Sequence, residues 1–254
     1  MPGRSTSTAS GSIPVTGRCS SPLTPACGGS RPTPARPSAW ATAARTRWGS
    51  PSPAPTTFSA PVTLDLREAQ ERGLPSQLGL IESRDAGRTW EPISLLGEAD
   101  FHVLRFGGDR VYGYDASNDR LLVSDDEGRS WDEIDRPAPI IDLVVRPGDS
   151  RHVLATTEAG LYESRDGGGT WDRVGEHVGL LAWPSPELLH LVDGRGDVHA
   201  SSDAGRSWRA RGSIGGLPAA LLGRSASELY AALHDGTVKQ SVDGGRRWTI
   251  RSSP

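Results

Sequence analysis

One eight-residue pattern, Ser-x-Asp-x-Gly-x-(Thr/Ser)-Trp, occurs five times in this chain and leaves little freedom in how the chain can fold. The copies occupy 83–90 (SRDAGRTW), 124–131 (SDDEGRSW), 164–171 (SRDGGGTW), 201–208 (SSDAGRSW) and 241–248 (SVDGGRRW). The last departs only in placing Arg247 where a hydroxyl residue is expected. Successive tryptophans of the pattern are 41, 40, 37 and 40 residues apart. A period of that length marks an array of similar supersecondary units, each burying its faces against its neighbours.

Each period holds three strand-like runs before the pattern and one after it; in the third these are 141–145, 152–156, 160–164 and 171–174. Four short strands per repeat predict an all-β chain, a β-propeller of four-stranded blades, with the pattern at the hairpin between the third and fourth strands. The residue types suit that hairpin. Asp85, Asp126, Asp166, Asp203 and Asp243 can accept backbone N–H bonds across a tight turn. Gly87, Gly128, Gly168, Gly205 and Gly245 stand where positive φ is demanded. Trp90, Trp131, Trp171, Trp208 and Trp248 are expected to bury their rings between strands, and Ser83, Ser124, Ser164, Ser201 and Ser241 open the motif. All twenty read as scaffold. A calcium loop at Asp125, Asp126 and Glu127 is the rival reading, but those residues are adjacent rather than alternating and no glutamate follows at the required spacing.

The pattern resembles the BNR or Asp-box motif of sialidases, sortilin-type receptors and related propellers, and the resemblance covers 65–254. It is similar in particular to a bacterial glycosyl-hydrolase-like, exo-sialidase-like group. That resemblance implies six blades and an extracytoplasmic setting in intact relatives, and a glycan or protein as ligand. It leaves a second possibility, a non-catalytic propeller serving binding or assembly.

Composition separates the N-terminal quarter from the rest. Residues 1–64 contain six Arg and no Asp or Glu, whereas the remainder has 22 basic against 31 acidic residues. The acidic array offers no electrostatic reason to bind nucleic acid. Cys19 and Cys27 both precede the array, so no disulfide framework supports it and no metal or other cofactor is expected. No apolar run is long enough to span a membrane, and the N-terminus lacks the apolar stretch of a signal peptide. Nothing in the residues sets an oligomeric state.

Counting strands gives four full blades and the last two strands of an earlier one, so the propeller is expected to be incomplete, with 65–254 as its domain. The Pro/Ser/Thr-rich stretch 1–64 reads as disordered, or as translated out of frame. If its Ser codons are TCN and its Thr codons ACN, slipping back one nucleotide turns Ser into an apolar residue and Thr into His, Asn, Asp or Tyr. Ser5-Thr6-Ser7-Thr8 then alternates as a strand does. Lys239 is the only lysine, a bias towards Arg that suits a GC-rich genome. The nucleotide sequence around codons 1 to 70 tests the idea. Regular structure is not expected in this stretch.

In a propeller the loops between second and third strands share a face with the start of each innermost strand, opposite the Asp-box turns. This face collects Asp100, His102, Tyr114, Asp115, Asn118, Asp142, Glu158, Asp193, Arg195, His234 and Asp235. The weak catalytic candidates among them are Asp115, Glu158, Asp193, Arg195, His234 and Asp235, since glycoside hydrolysis needs two carboxylates, or in sialidases a tyrosine with a glutamate. Three arginines should also hold a sialic carboxylate. Arg105, Arg146 and Arg224 recur at one blade position, but at the end of the first strand, the wrong face. Tyr112, Tyr114, Tyr162 and Tyr230 read as packing residues rather than nucleophiles.

Overall fold

The computed structural model describes residues 43–44, 58–60, 75, 77–85 and 89–254, the first two segments as backbone only. Gly87 lies outside the described residues, as does nearly all of 1–64. All described residues belong to the second of the two units into which the chain divides, Pro37–Pro254.

They form twenty strands in five antiparallel four-stranded sheets, each a consecutive meander. The first sheet joins β1 (Ala43–Ala44), β2 (Phe58–Ala60), β3 (Leu80–Ser83) and β4 (Glu91–Ser94). The second comprises β5 (Phe101–Gly107), β6 (Arg110–Asp115), β7 (Arg120–Ser124) and β8 (Asp132–Ile134). The third comprises β9 (Ile140–Arg146), β10 (Asp149–Thr157), β11 (Gly160–Ser164) and β12 (Asp172–Gly175). The fourth comprises β13 (Leu180–Ser185), β14 (Leu188–Val192), β15 (Asp197–Ser201) and β16 (Arg209–Ser213). The fifth comprises β17 (Pro218–Gly223), β18 (Leu229–Leu233), β19 (Val238–Ser241) and β20 (Thr249–Ser252). First strands pack on first strands, β5 on β9, β9 on β13 and β13 on β17, so the sheets stand as blades of an incomplete propeller.

One expectation needs correcting. Five residues of 1–64 do adopt regular structure: Phe58–Ala60 pairs with β3 and Ala43–Ala44 pairs with β2. The unpaired inner edge of a two-stranded hairpin offers backbone donors and acceptors, and these short segments satisfy them.

Burial follows radial position. The second strands of the three middle blades are buried on both faces, as in Val111, Tyr112 and Tyr114 of β6 or Val153, Leu154 and Ala155 of β10, because each of these blades is covered by a neighbour on either side. That is why these strands read as apolar runs rather than alternating ones. The fourth strands lie outermost and are polar, with Glu91, Asp132, Asp172 and Arg209 exposed. The core therefore consists of layers between blades. One joins Leu80 with Phe101, Leu104 and Trp131; the next joins Tyr112 and Leu121 with Leu143 and Val153. A third joins Leu154 and Leu161 with Leu181, Trp183 and Trp208; a fourth joins Ala182 and Val198 with Leu221 and Leu233. Each fully buried Leu in them contributes about 1.5–3 kcal/mol.

His190 of β14 sits in such a layer with no exposed surface. Burial lowers its pKa to about 4, the charge of Arg211 adds to the effect, and the backbone at Ala226 opposes it. Above pH 6.5 the ring is neutral folded or unfolded, and the stability is fully present. As the pH falls from about 6.5 towards 4 the unfolded chain binds a proton that the folded chain refuses, so about 3 kcal/mol is lost over that window. Denaturant unfolding at pH 7 and pH 4.5 should show this loss, and His190→Leu should flatten it; an equally steep variant would assign the acid sensitivity to another group.

Candidate functional site

The eight-residue motif builds its turn from its own side chains. In the second blade Asp126 Oδ1 accepts the amides of Arg129 (3.0 Å) and Ser130 (2.8 Å) and the Ser124 hydroxyl (2.7 Å). Asp126 Oδ2 accepts the Ser130 hydroxyl at 2.6 Å, and Ser124 Oγ accepts the Gly128 amide at 2.7 Å. These bonds, the Ser130 hydroxyl and amide foremost, hold the Asp126 carboxyl well below the usual carboxylate range. Asp85, Asp166 and Asp203 repeat the pattern. In the fifth blade Asp243 still accepts the Arg247 amide at 2.9 Å, and the Arg247 guanidinium, 3.7 Å away, stands where the hydroxyl would be.

The four described motif glycines Gly128, Gly168, Gly205 and Gly245 all have positive φ. A second requirement is not legible locally. A Cβ on Gly128 would lie 2.2 Å from Leu80, on Gly205 2.4 Å from Leu161 and on Gly245 2.7 Å from Val198, each in the preceding blade. The motif is thus also the contact between blades. Trp131 Nε1 donates to Ser94 Oγ at 2.9 Å and Trp171 Nε1 to the Asp135 carbonyl at 3.0 Å, again in the preceding blade.

The two ends of the blades are distinct. At one, the motif turns bond to the turns between first and second strands or to the start of the second: Glu127 N donates to Asp109 O, Gly167 N to Arg151 O and Gly244 N to Ser227 O. At the other, the loops between second and third strands bond to the starts of the first strands, as Ala116 N does to Asp100 O and His234 N to Leu217 O.

The sequence candidates at this second end differ in burial and partners. Asp115 is wholly buried and accepts the Asp100 amide (3.1 Å), Asn118 Nδ2 (2.8 Å) and Arg120 NH2 (2.8 Å). Burial raises its pKa, but the bonds from Asn118, Arg120 and the Asp100 amide outweigh that and hold it below the usual range. Asp193 Oδ1 accepts the amides of Arg195 (2.9 Å) and Asp197 (3.0 Å), and Asp235 accepts the Thr237 amide at 2.8 Å. Those two fold their own loops. Glu158, Arg195, His234 and Asp235 are exposed, and His102 lies 3.2 Å from Asp100. Tyr114 packs in the core and donates its hydroxyl to Asp119 Oδ1 at 2.6 Å; burial raises its pKa.

Asp142 departs most from a loop reading. It is buried, and its carboxylate accepts Arg105 NH2 of the second blade (2.5 Å), its own neighbour's Leu143 amide (2.8 Å) and the Leu181 amide of the fourth blade (2.8 Å). One carboxylate thus ties three successive innermost strands. Burial raises its pKa against the pull of Arg105 and both amides. Arg105 is therefore a structural partner of Asp142.

A profile of the Sortilin-Vps10 family, described as Sortilin, neurotensin receptor 3, matches residues 79–195. That match covers less than half of the chain. With five motifs of Asp-box (BNR) spelling on four-stranded blades, the chain is an Asp-box-like propeller. This Asp-box propeller is 26% identical over 163 residues to a xyloglucanase of Paenibacillus sp, covering 56% of the chain and 15% of the relative. It is 30% identical over 99 residues to the dispase autolysis-inducing protein of Streptomyces mobaraensis, covering 38% of the chain and 26% of the relative. The chain thus spans about a quarter or less of these curated relatives. Among solved structures, the GH74 xyloglucanase of Xanthomonas campestris superposes with a TM-score of 0.54 at 19% identity, over 77% of this chain and 36% of that one, a likeness of fold.

Among the described residues of the Asp-box propeller, no three His, Cys, Asp or Glu side chains are placed to hold a metal ion, and no helix is long and apolar enough to cross a membrane.

Proposed function

We propose that this Asp-box propeller is a binding module that presents the loops between its second and third strands to a protein ligand, and that it does not hydrolyse glycosides itself. The observation that carries the reading is the state of its carboxylates. Asp115 accepts three donor groups, Asp142 is enclosed by Arg105 and two amides, and Asp193 and Asp235 close their own turns. A glycosidase needs a carboxylic acid held protonated near neutral pH beside a second carboxylate free to act. Asp115 and Asp235 are instead pulled below their ordinary range, and Asp142, which burial pushes up, is buried and enclosed by Arg105 and two amides. The names of two matches, a neurotensin receptor and an autolysis-inducing protein of a protease, also favour a protein ligand over a sugar.

A specific observation keeps the rival reading in view, the 26% identity to a xyloglucanase. The full chain should therefore be incubated with xyloglucan and a panel of aryl glycosides, and reducing ends measured. No release is expected. Turnover that Glu158→Gln abolishes would assign the exposed glutamate a catalytic role and overturn the proposal.

A further inference from the structure

At the Asp-box end, opposite the loops between second and third strands, the turn between β5 and β6 and the turn between β9 and β10 border a cleft of about 650 Å³. Its apolar wall includes Phe106, Val145, Pro147 and the buried Trp183. Two arginines, Arg110 and Arg146, line it.

Their partners are unequal. The Arg146 guanidinium carbon stands 6.0 Å from the Trp183 ring centroid, and Arg146 NH1 is 3.5 Å from His152 Nδ1. Arg146 makes no ion pair among the described residues. Beneath it His152 Nε2 is already held 2.6 Å from Glu163 Oε1, and Glu163 is further paired with Arg165 and Arg206, so no carboxylate below is left for Arg146. Arg110 pairs with Asp125 at 3.0 Å, yet its buried Nε has no acceptor.

The cleft also borders Asp109, Asp125 and Asp149, so position decides the sign of its interior. The Asp125 side chain is 70% exposed, Asp109 and Asp149 are exposed, and Asp149 accepts the Arg151 amide at 3.1 Å. Water screens carboxylates at such a rim strongly, whereas the Arg110 side chain is only 14% exposed. A guanidinium facing an anion within a partly apolar wall forms strong charge-assisted hydrogen bonds.

We infer that this cleft is a second binding site, taking a small carboxylate borne on an apolar group, with the carboxylate on Arg146 and Arg110 and the apolar group against Phe106, Val145 and Pro147. No covalent step is involved. Asp125, exposed and singly paired, swings out to release Arg110 when the ligand enters.

Isothermal titration calorimetry of the full chain with 3-phenylpropionate tests this, with 3-phenylpropionamide as the neutral analogue and acetate as the carboxylate without a ring. The acid is expected to bind saturably with a Kd of about millimolar order, as suits so small a ligand. The amide and acetate should each bind at least about tenfold more weakly, and Arg146→Gln should weaken the acid by about tenfold while leaving the melting temperature unchanged. Equal binding of acid and amide, no binding of the acid up to its solubility, or an unchanged affinity in Arg146→Gln would overturn the assignment. Acetate binding as tightly as the acid would overturn its apolar half.

Discussion

Asp142→Ala is expected to cost about 3–5 kcal/mol, a large part of the stability of a domain of this size. The substitution removes one carboxylate and leaves three donors without it: Arg105, the Leu143 amide and the Leu181 amide. The Arg105 side chain is mostly buried and, among the described residues, would keep its charge with only the Leu104 carbonyl, 3.0 Å away, to accept from it. Truncating one partner of a buried ion pair is more damaging than exchanging the whole pair for apolar groups. Urea unfolding should therefore place Asp142→Ala well below the parent, and the double substitution Asp142→Ala with Arg105→Met should recover part of the loss. A single substitution that leaves the midpoint unchanged would mean that the three innermost strands hold together without this carboxylate.

Gly205→Ala is expected to cost about 2–5 kcal/mol, for two separable reasons. Its φ of +85° is unfavourable for an L side chain, and its Cβ would lie 2.4 Å from Leu161 Cδ2 of the preceding blade. The conformational part amounts to about 1–2 kcal/mol, and overpacking a close-packed layer adds about 1–3 kcal/mol. Gly148 separates them, because its φ of +84° is nearly the same and nothing lies within 4 Å of where its Cβ would be. Gly148→Ala should thus show the conformational cost alone. Equal losses for the two variants in denaturant melts would show that the blade contact contributes nothing and that the motif glycines serve only the turn.

The contrast between these residues marks how far the sequence is legible. The Asp-box turn closes within eight residues, through bonds that an aspartate accepts from groups at most four positions away, as Asp126 does from Ser130. Such bonds repeat whenever the spelling repeats, so five copies suffice to predict five hairpins and the polar outer strands that follow them. The aspartates outside the motif carry no such signal. Asp115, Asp142, Asp193 and Asp235 look alike in the chain, yet one is a buried acceptor of three donor groups, one a clamp between blades, and two are turn formers.

The same limit applies to the cleft. Arg105, Arg146 and Arg224 occupy similar places near the ends of first strands, but their surroundings differ. Arg105 meets Asp142, Arg224 lies exposed 3.8 Å from Glu228, and Arg146 stands by Trp183 with no carboxylate to pair with among the described residues. Only the juxtaposition of turns from two blades turns that last arginine into the wall of a cavity.

By itself, then, the amino-acid sequence determined the hairpins, the four-stranded repeat and the all-β propeller, because those rest on interactions between near neighbours in the chain. The tertiary structure alone decided what faces what across the blades. By register, Tyr112, Leu154, His190 and Tyr230 hold one position in successive second strands, and they are a phenol, an alkyl group, an imidazole and a phenol. The contacts that select them differ in kind: Tyr112 donates to the Ser150 carbonyl and Leu154 packs with Leu181, both in the next blade, whereas Tyr230 bonds Glu228 within its own. Packing between blades is settled by volume and hydrogen bonding in three dimensions, which no local pattern encodes.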